Sequence, residues 1–131
     1  MTDLIYPELS YKLVGILFDV YNELGSGFQE KYYYRGIREA LKTANLSFKE
    51  QQFIPLKYKE SKIGHYFIDF VVEEKIVLEI KQGERFLKGN INQVYGYLMA
   101  QNLKLGILVN FTRDGIKFKR ILNIDSYIRK D

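Results

Sequence analysis

Asp69, Glu79 and Lys81 carry groups that could do chemistry, and each lies in apolar surroundings, as Phe67-Ile68-Asp69-Phe70 and Val77-Leu78-Glu79-Ile80-Lys81. In the run Ile76-Val77-Leu78-Glu79-Ile80-Lys81, alternation puts Glu79 and Lys81 on one face of an otherwise hydrophobic strand. An acid and a base carried into a buried strand cost free energy unless a partner offsets the loss of water. A divalent metal held by Asp69 and Glu79, with Lys81 beside it, is one offset. A buried ion pair tying two strands together is the other, since structural pairs also perturb acids and bases. In the metal reading, two carboxylates, a backbone carbonyl such as that of Ile80, and waters make a hard oxygen site suited to Mg²⁺ or Mn²⁺. Such an ion activates water and holds a phosphoryl oxygen. Lys81 would then steer or deprotonate the attacking water, or stabilise charge on the phosphate.

The elements that must position these groups can be read from periodicity. A first helix is predicted over about residues 8–24, with Leu13, Ile16, Leu17, Val20 and Leu24 at helical spacing. Gly25-Ser26-Gly27 stops it. A second helix covers roughly residues 29–44, with Tyr33, Tyr34, Ile37, Ala40, Leu41 and Ala44 as its apolar face and Asn45 suited to its C-terminal cap. Strand-like runs follow at 52–59, 64–72 and 75–81, joined near Glu60-Ser61-Lys62 and at Glu73-Glu74, and read as a meander. A loop over 82–89 leads to a third helix from about 90 to 101, then a buried strand at 105–110 and a last one at 117–124. The order α-α-β-β-β-α-β-β implies one domain over 1–131 of α/β or α+β class, a mixed sheet flanked by helices.

Other polar residues could join the acids. Glu30 falls in the first turn of the second helix, where the macrodipole alone favours a carboxylate. It also shares a helical face with Tyr33, Tyr34 and Ile37, so it is expected to point at the core and to need a partner there. Gln93 and Tyr97 share a face of the third helix at i, i+4, with Asn90 one turn earlier. They suit a half-exposed helix surface, or a site in which Gln93 bridges Lys81 or a bound phosphate and Tyr97 packs behind it. Arg85 and Lys88 follow Lys81, and Lys117, Lys119 and Arg120 surround the last strand. These form a solvated face by default and a phosphate-backbone surface if the acids do chemistry nearby. His65, the single histidine, is expected at the surface or behind the site.

Composition narrows the alternatives. With no cysteine and one histidine, disulfides, thiolate or His-rich zinc sites and Ser-His-Asp triads drop out, and acid–base work falls to carboxylates and lysine. The absence of cysteine suits a reducing, cytoplasmic setting. Hydrophobic residues at 47% and charged residues at 27% indicate a globular chain, and no apolar run reaches membrane-spanning length. The start, Met-Thr-Asp-Leu-Ile-Tyr, has no apolar core of signal-peptide type. A net charge of +4 points mildly to a polyanionic partner.

The string Gly27-Phe28-Gln29-Glu30-Lys31-Tyr32-Tyr33 is a G-x-x-E-x-x-Y motif directly after a helix ending Glu23-Leu24-Gly25. By this motif the chain resembles the bacterial GxxExxY protein family over almost its full length. That family is similar to compact, RecB-like members of the PD-(D/E)XK nuclease superfamily. The resemblance implies that Asp69 is the motif's aspartate, Glu79-Ile80-Lys81 its E-x-K and Glu30 the helix-borne acid. Gln93-Val94-Tyr95-Gly96-Tyr97 is similar to the Q-x-x-x-Y element of RecB-like nucleases, and Phe67 stands where many members carry arginine. The implied activity is metal-dependent hydrolysis of DNA, with RNA open as the alternative polymer. Glu30, Asp69, Glu79 and the Ile80 carbonyl would bind Mg²⁺ or Mn²⁺, Lys81 and Gln93 would join Asp69 and Glu79 in catalysis, and Tyr97 would meet the nucleic acid. A non-catalytic nucleic-acid-binding or assembly module on the same fold is the alternative. Aromatics such as Tyr32, Tyr34 and Phe111 leave room for a homodimer surface.

Overall fold

A computed structural model describes residues 5–123. Two helices come first, α1 (Pro7–Leu24) and α2 (Glu30–Thr43), then strands β1 (Phe48–Tyr58), β2 (Ser61–Val72) and β3 (Ile76–Gln82). Helix α3 (Lys88–Gln101) crosses to β4 (Leu105–Thr112) and β5 (Gly115–Leu122). This is the element order read from the sequence, with shifted ends. β1 starts four residues before the expected position, because Ser47 closes its end on Glu73 through a backbone bond in one direction and two bonds to the Glu73 carboxylate in the other. β2 starts three residues early because the hairpin turns on Lys59-Glu60, with Lys59 in the left-handed region at φ 54°. β5 ends at Leu122, and Ile124, the expected strand end, lies outside the described residues.

The five strands form one sheet in chain order, antiparallel except for β3 against β4, which the α3 crossover makes parallel. Helices α1 and α2 cover one face, where Leu13, Leu17, Tyr33, Ile37 and Leu41 meet Phe70, Leu78, Ile80, Ile107 and Phe111. Helix α3 covers the other, where Val94, Tyr97 and Leu98 meet Ile54, Ile68, Val77 and Leu108. Among the described residues, no helix is long and apolar enough to cross a membrane. Asn45 takes the left-handed conformation, φ 59°, just past α2, and the Leu46 N–H returns to the Leu41 carbonyl.

Helix α3 packs tightly against the sheet at Gly106. A methyl group there would lie 2.6 Å from Val94 Cγ1 and 3.6 Å from both Leu98 methyls. Gly106→Ala must therefore push α3 off β4, and the expected loss is about 1–3 kcal/mol of unfolding free energy. A urea midpoint unchanged from wild type would show that α3 tolerates the displacement.

Candidate active site

The site forms where β2 and β3 part. Their ladder runs only from Val72↔Ile76 to Phe70↔Leu78. Beyond it, backbone pairing gives way to two carboxylates. The Ile80 N–H donates to Asp69 Oδ2 at 2.9 Å, and the Asp69 N–H donates to Glu79 Oε1 at 3.2 Å. Each acid thus satisfies a backbone donor that the separating strands would leave unpaired.

A change of face accompanies the parting. Phe70 packs under α2 while Ile68, two residues earlier, packs under α3, although strict alternation would keep them together. On β1, Phe48 lies on the α2 side and Ile54 on the α3 side. Both strands switch at the same level: Gln51 adopts φ 52° and drops out of the register between Glu50↔Phe70 and Gln52↔Ile68, opposite Asp69. Gln51 Nε2 then donates to Asp69 Oδ1 at 3.4 Å. Asp69 is half-buried, and Glu79 is 4% exposed.

Burial dominates the electrostatics. It pushes the Glu79 carboxyl up to about 8, and the Asp69 charge adds to the rise while the Asp69 N–H and Lys81 oppose it. Asp69 is also raised, first by burial and further by Glu30, against the Ile80 N–H, Lys81 and Gln51. The Lys81 ammonium lies 3.5 Å from Glu79 Oε2. Full ionisation of both carboxyls would leave one negative charge in excess of the single ammonium, which together with burial is why Glu79 holds its proton up to about 8. That excess, in a set of hard oxygen donors, fits a divalent ion better than it fits a closed ion pair. Among the described residues no group of three acid or histidine side chains could hold an ion alone, so carbonyl oxygens or waters would complete its shell. Ile80 gives its N–H to Asp69, and its side chain is buried under α2.

Glu30 corrects one expectation. It does not face the core; it is exposed. At the first turn of α2 no preceding helical turn covers it, and a side chain leaning towards the N-terminus leaves the helix altogether. It nevertheless lines, with Asp69, a cleft of about 700 Å³ between α2 and β1. The same cleft presents Tyr34, Gln51 and three cations, Lys31, Arg35 and Arg38. Tyr34 stacks on Phe70 with ring centroids 4.6 Å apart and donates to Glu50 Oε1 at 2.8 Å. Burial holds its hydroxyl up at about 12, so it remains a donor.

On the other face, Tyr97 also needs correction. The residue is 2% exposed, within the α3 core, with its ring edge-on to Tyr66 at 5.9 Å. Such a ring cannot stack on nucleic acid. Burial, followed by the charges of Glu79 and Asp69, raises the Tyr97 hydroxyl, while a hydrogen bond with Gln93 opposes the rise. Gln93, half-buried, lies beside the Tyr97 hydroxyl.

The basic residues divide. Arg120 is withdrawn from the expected contact surface: its guanidinium donates to Ser10 Oγ at 2.6 Å and to the Ile5 carbonyl at 3.0 Å, fastening β5 to α1. Arg85, Lys88, Lys117 and Lys119 are exposed, although Lys117 Nζ donates to the Glu84 carbonyl at 2.8 Å. Lys117 is two strands from Lys81, by way of Asn110, and Lys119 is two strands from Glu79, by way of Leu108. The cations that line the cleft, Lys31, Arg35 and Arg38, were not picked out by sequence reasoning, though their i, i+4, i+7 spacing marks one helix face. Asn110 was missed too. It pairs with Lys81 in register and donates through Nδ2 to the Gly83 and Arg85 carbonyls, so it shapes the turn after Lys81; its buried Oδ1 has no hydrogen-bond partner.

The G-x-x-E-x-x-Y string is a local device for placing Glu30. Gly27, at φ 93°, makes the left-handed turn into α2. Tyr33, one turn into the helix, reaches back so that its hydroxyl donates to the Gly25 carbonyl at 2.7 Å and accepts from the Phe28 N–H at 3.3 Å. Its ring lies flat on Phe111, centroids 4.2 Å apart.

Comparison with known proteins agrees with this fold. The crystal structure of SSO0001 superposes with a TM-score of 0.60 at 18% identity, covering 96% of this chain and 69% of that one, and is among 12 solved chains that match. The likeness is one of fold. No curated protein matches. A family model described as the PD-(D/E)XK nuclease superfamily matches residues 7–121. The chain belongs to the PD-(D/E)XK nuclease superfamily.

Proposed function

We propose that the protein is a metal-dependent nuclease that hydrolyses phosphodiester bonds in DNA, allied within its superfamily to the compact GxxExxY and RecB-like members. One observation carries this: two carboxyls, both raised by burial, sit together beside one ammonium, and one of them, Asp69, lines a cleft that also presents cations. Asp69 and Glu79 would hold Mg²⁺ or Mn²⁺, with Glu30 at the rim and the Ile80 carbonyl among the remaining donors. Such an ion, when bound, supplies a water of lowered pKa and neutralises charge on a phosphate oxygen.

The chain's own groups do the rest. Lys81 orients the attacking water or stabilises charge growing on the phosphate. Tyr97, kept protonated by burial, and Gln93 hold the polar edge of the site in place. Lys31 and Arg35, exposed along the cleft, are suited to phosphate oxygens. Arg38 is less free, since its Nε lies 3.0 Å from Glu50 Oε1.

The test is cleavage of end-labelled DNA by purified protein with Mn²⁺ or with EDTA, wild type beside Asp69→Asn. Asparagine retains an acceptor for the Ile80 N–H and removes the charge. Cleavage should require Mn²⁺ and disappear in the variant. Wild-type protein that binds DNA but never cuts it would instead support the recognition module.

A further inference from the structure

Beyond Asp69, the β1–β2 hairpin leaves the sheet. The β2–β3 register stops at Phe70, so from Ile68 to the turn at Lys59-Glu60 the two strands pair with each other alone. The switch of faces at Gln51 and Asp69 turns Ile54 and Ile68 into the α3 core and leaves Phe53 and Phe67 on the opposite face, the side on which α2 and the cleft lie. These two rings are cross-strand neighbours, 43% and 46% exposed, with centroids 5.7 Å apart. The exposed His65 ring lies 5.2 Å from each.

Three clustered rings left open to water mark a surface that something covers. Its charge says what. Lys62 holds its ammonium 4.7 Å above the Phe53 ring, and its cross-strand partner is Lys57. From 52 to 68 the hairpin carries Lys57, Lys59 and Lys62 against Glu60 alone. At the cleft end the strip reaches Gln51 and Asp69, facing Lys31 and Arg35 on α2. A second copy of this chain, itself at +4, would bring like charge to these lysines. A duplex would bring phosphates but keep its base faces in its own stack. Unpaired nucleotides bring both flat rings and a phosphate spine.

We infer that this face of the β1–β2 ribbon is a stacking platform for unpaired bases, which leads a single strand of nucleic acid into the cleft at Asp69. The bases lie on Phe53, His65 and Phe67, and the phosphates run past Lys62 and, across the cleft, Lys31 and Arg35. The inference rests on the nuclease reading for its polymer but not for its test.

The test is fluorescence anisotropy in EDTA, where cleavage cannot intervene, with a labelled oligothymidylate and a duplex of equal length. Wild type should bind the single strand about tenfold or more tightly than the duplex. Phe53→Ala with Phe67→Ala should weaken single-strand binding by about 10- to 100-fold and leave duplex binding unchanged. Should that variant fail to fold by circular dichroism, Phe53→Leu with Phe67→Leu keeps the apolar bulk without the flat faces, and the same loss is expected. Equal affinity for both polymers, or variants that bind as wild type does, would overturn the platform. So would a wild-type dimer that the variants convert to monomers without loss of single-strand affinity. Absence of cleavage in the metal assay would sink the nuclease reading and leave these outcomes as they stand.

Discussion

Lys81→Met should lower DNA cleavage by about 10²–10³-fold, the usual cost of removing one group aimed at transition-state charge, while DNA affinity stays close to wild type. The ammonium is 3.5 Å from Glu79 Oε2 with its side chain 25% exposed, so it touches a buried acid while part of it stays open to solvent. Methionine keeps much of the apolar stem and deletes the charge, so core volume is not what the variant tests. Affinity is expected to come from many phosphate contacts, Lys31 and Arg35 among them, and to fall steeply with salt. The measurement pairs nicking of supercoiled DNA in Mn²⁺ with binding in EDTA. Equal cleavage by both proteins would reduce Lys81 to an ion-pair partner of Glu79, or expose a contaminating nuclease.

Glu79→Gln should remove two dependences of stability. In the wild type the Glu79 carboxyl titrates at about 8 in the folded protein against an ordinary 4.5. Between those values the unfolded chain has released its proton and the native state still holds it. Stability of the metal-free protein therefore falls as pH rises from about 4.5 to about 8, by an amount on the order of a few kcal/mol, and Asp69 acts in the same direction. Glutamine carries no such proton and can still accept from the Asp69 N–H. The variant should melt higher than wild type at pH 8.5 without metal, with the difference closing towards pH 5. Mn²⁺ should do the opposite, raising the wild-type melting temperature by the equivalent of about 2.7 kcal/mol at a hundredfold excess over Kd and leaving the variant unmoved. A Mn²⁺ shift of equal size in both proteins would remove Glu79 from the metal site.

Much of this was legible in the residues. Leu13, Ile16, Leu17 and Val20 sit at helical spacing and are buried, and the run from Ile76 to Ile80 is the strand that its continuous apolar character implies. The acids' proximity followed from pairing two neighbouring strands. What could not be read is the break inside β2. Phe67-Ile68-Asp69-Phe70 contains no glycine or proline to mark a break, and the switch depends on Gln51, a residue with no marked preference for the left-handed region. Glu30 was misdirected by helical periodicity, which assumes a turn on either side. Arg120 looked solvated because alternation says nothing of which helix lies over a strand, and here Ser10 does. The stripe Lys31, Arg35, Arg38 has the spacing of any solvated helix face until the cleft gives it an address.

The sheet's order in space is its order along the chain, and this bears on how the molecule assembles. Three of its pairings are hairpins, closed by short loops at little entropic cost. Only β3 with β4 waits for the intervening helix to be ordered first. The carboxylates of Asp69 and Glu79 are therefore brought together within a local hairpin, while Asn110 reaches Lys81 only in the later, non-local step. Pulse-labelled amide exchange during refolding would record this as protection of β2 and β3 ahead of β4. A mutual repulsion between acids is then borne early, by a fragment still open to water, where it is weakest.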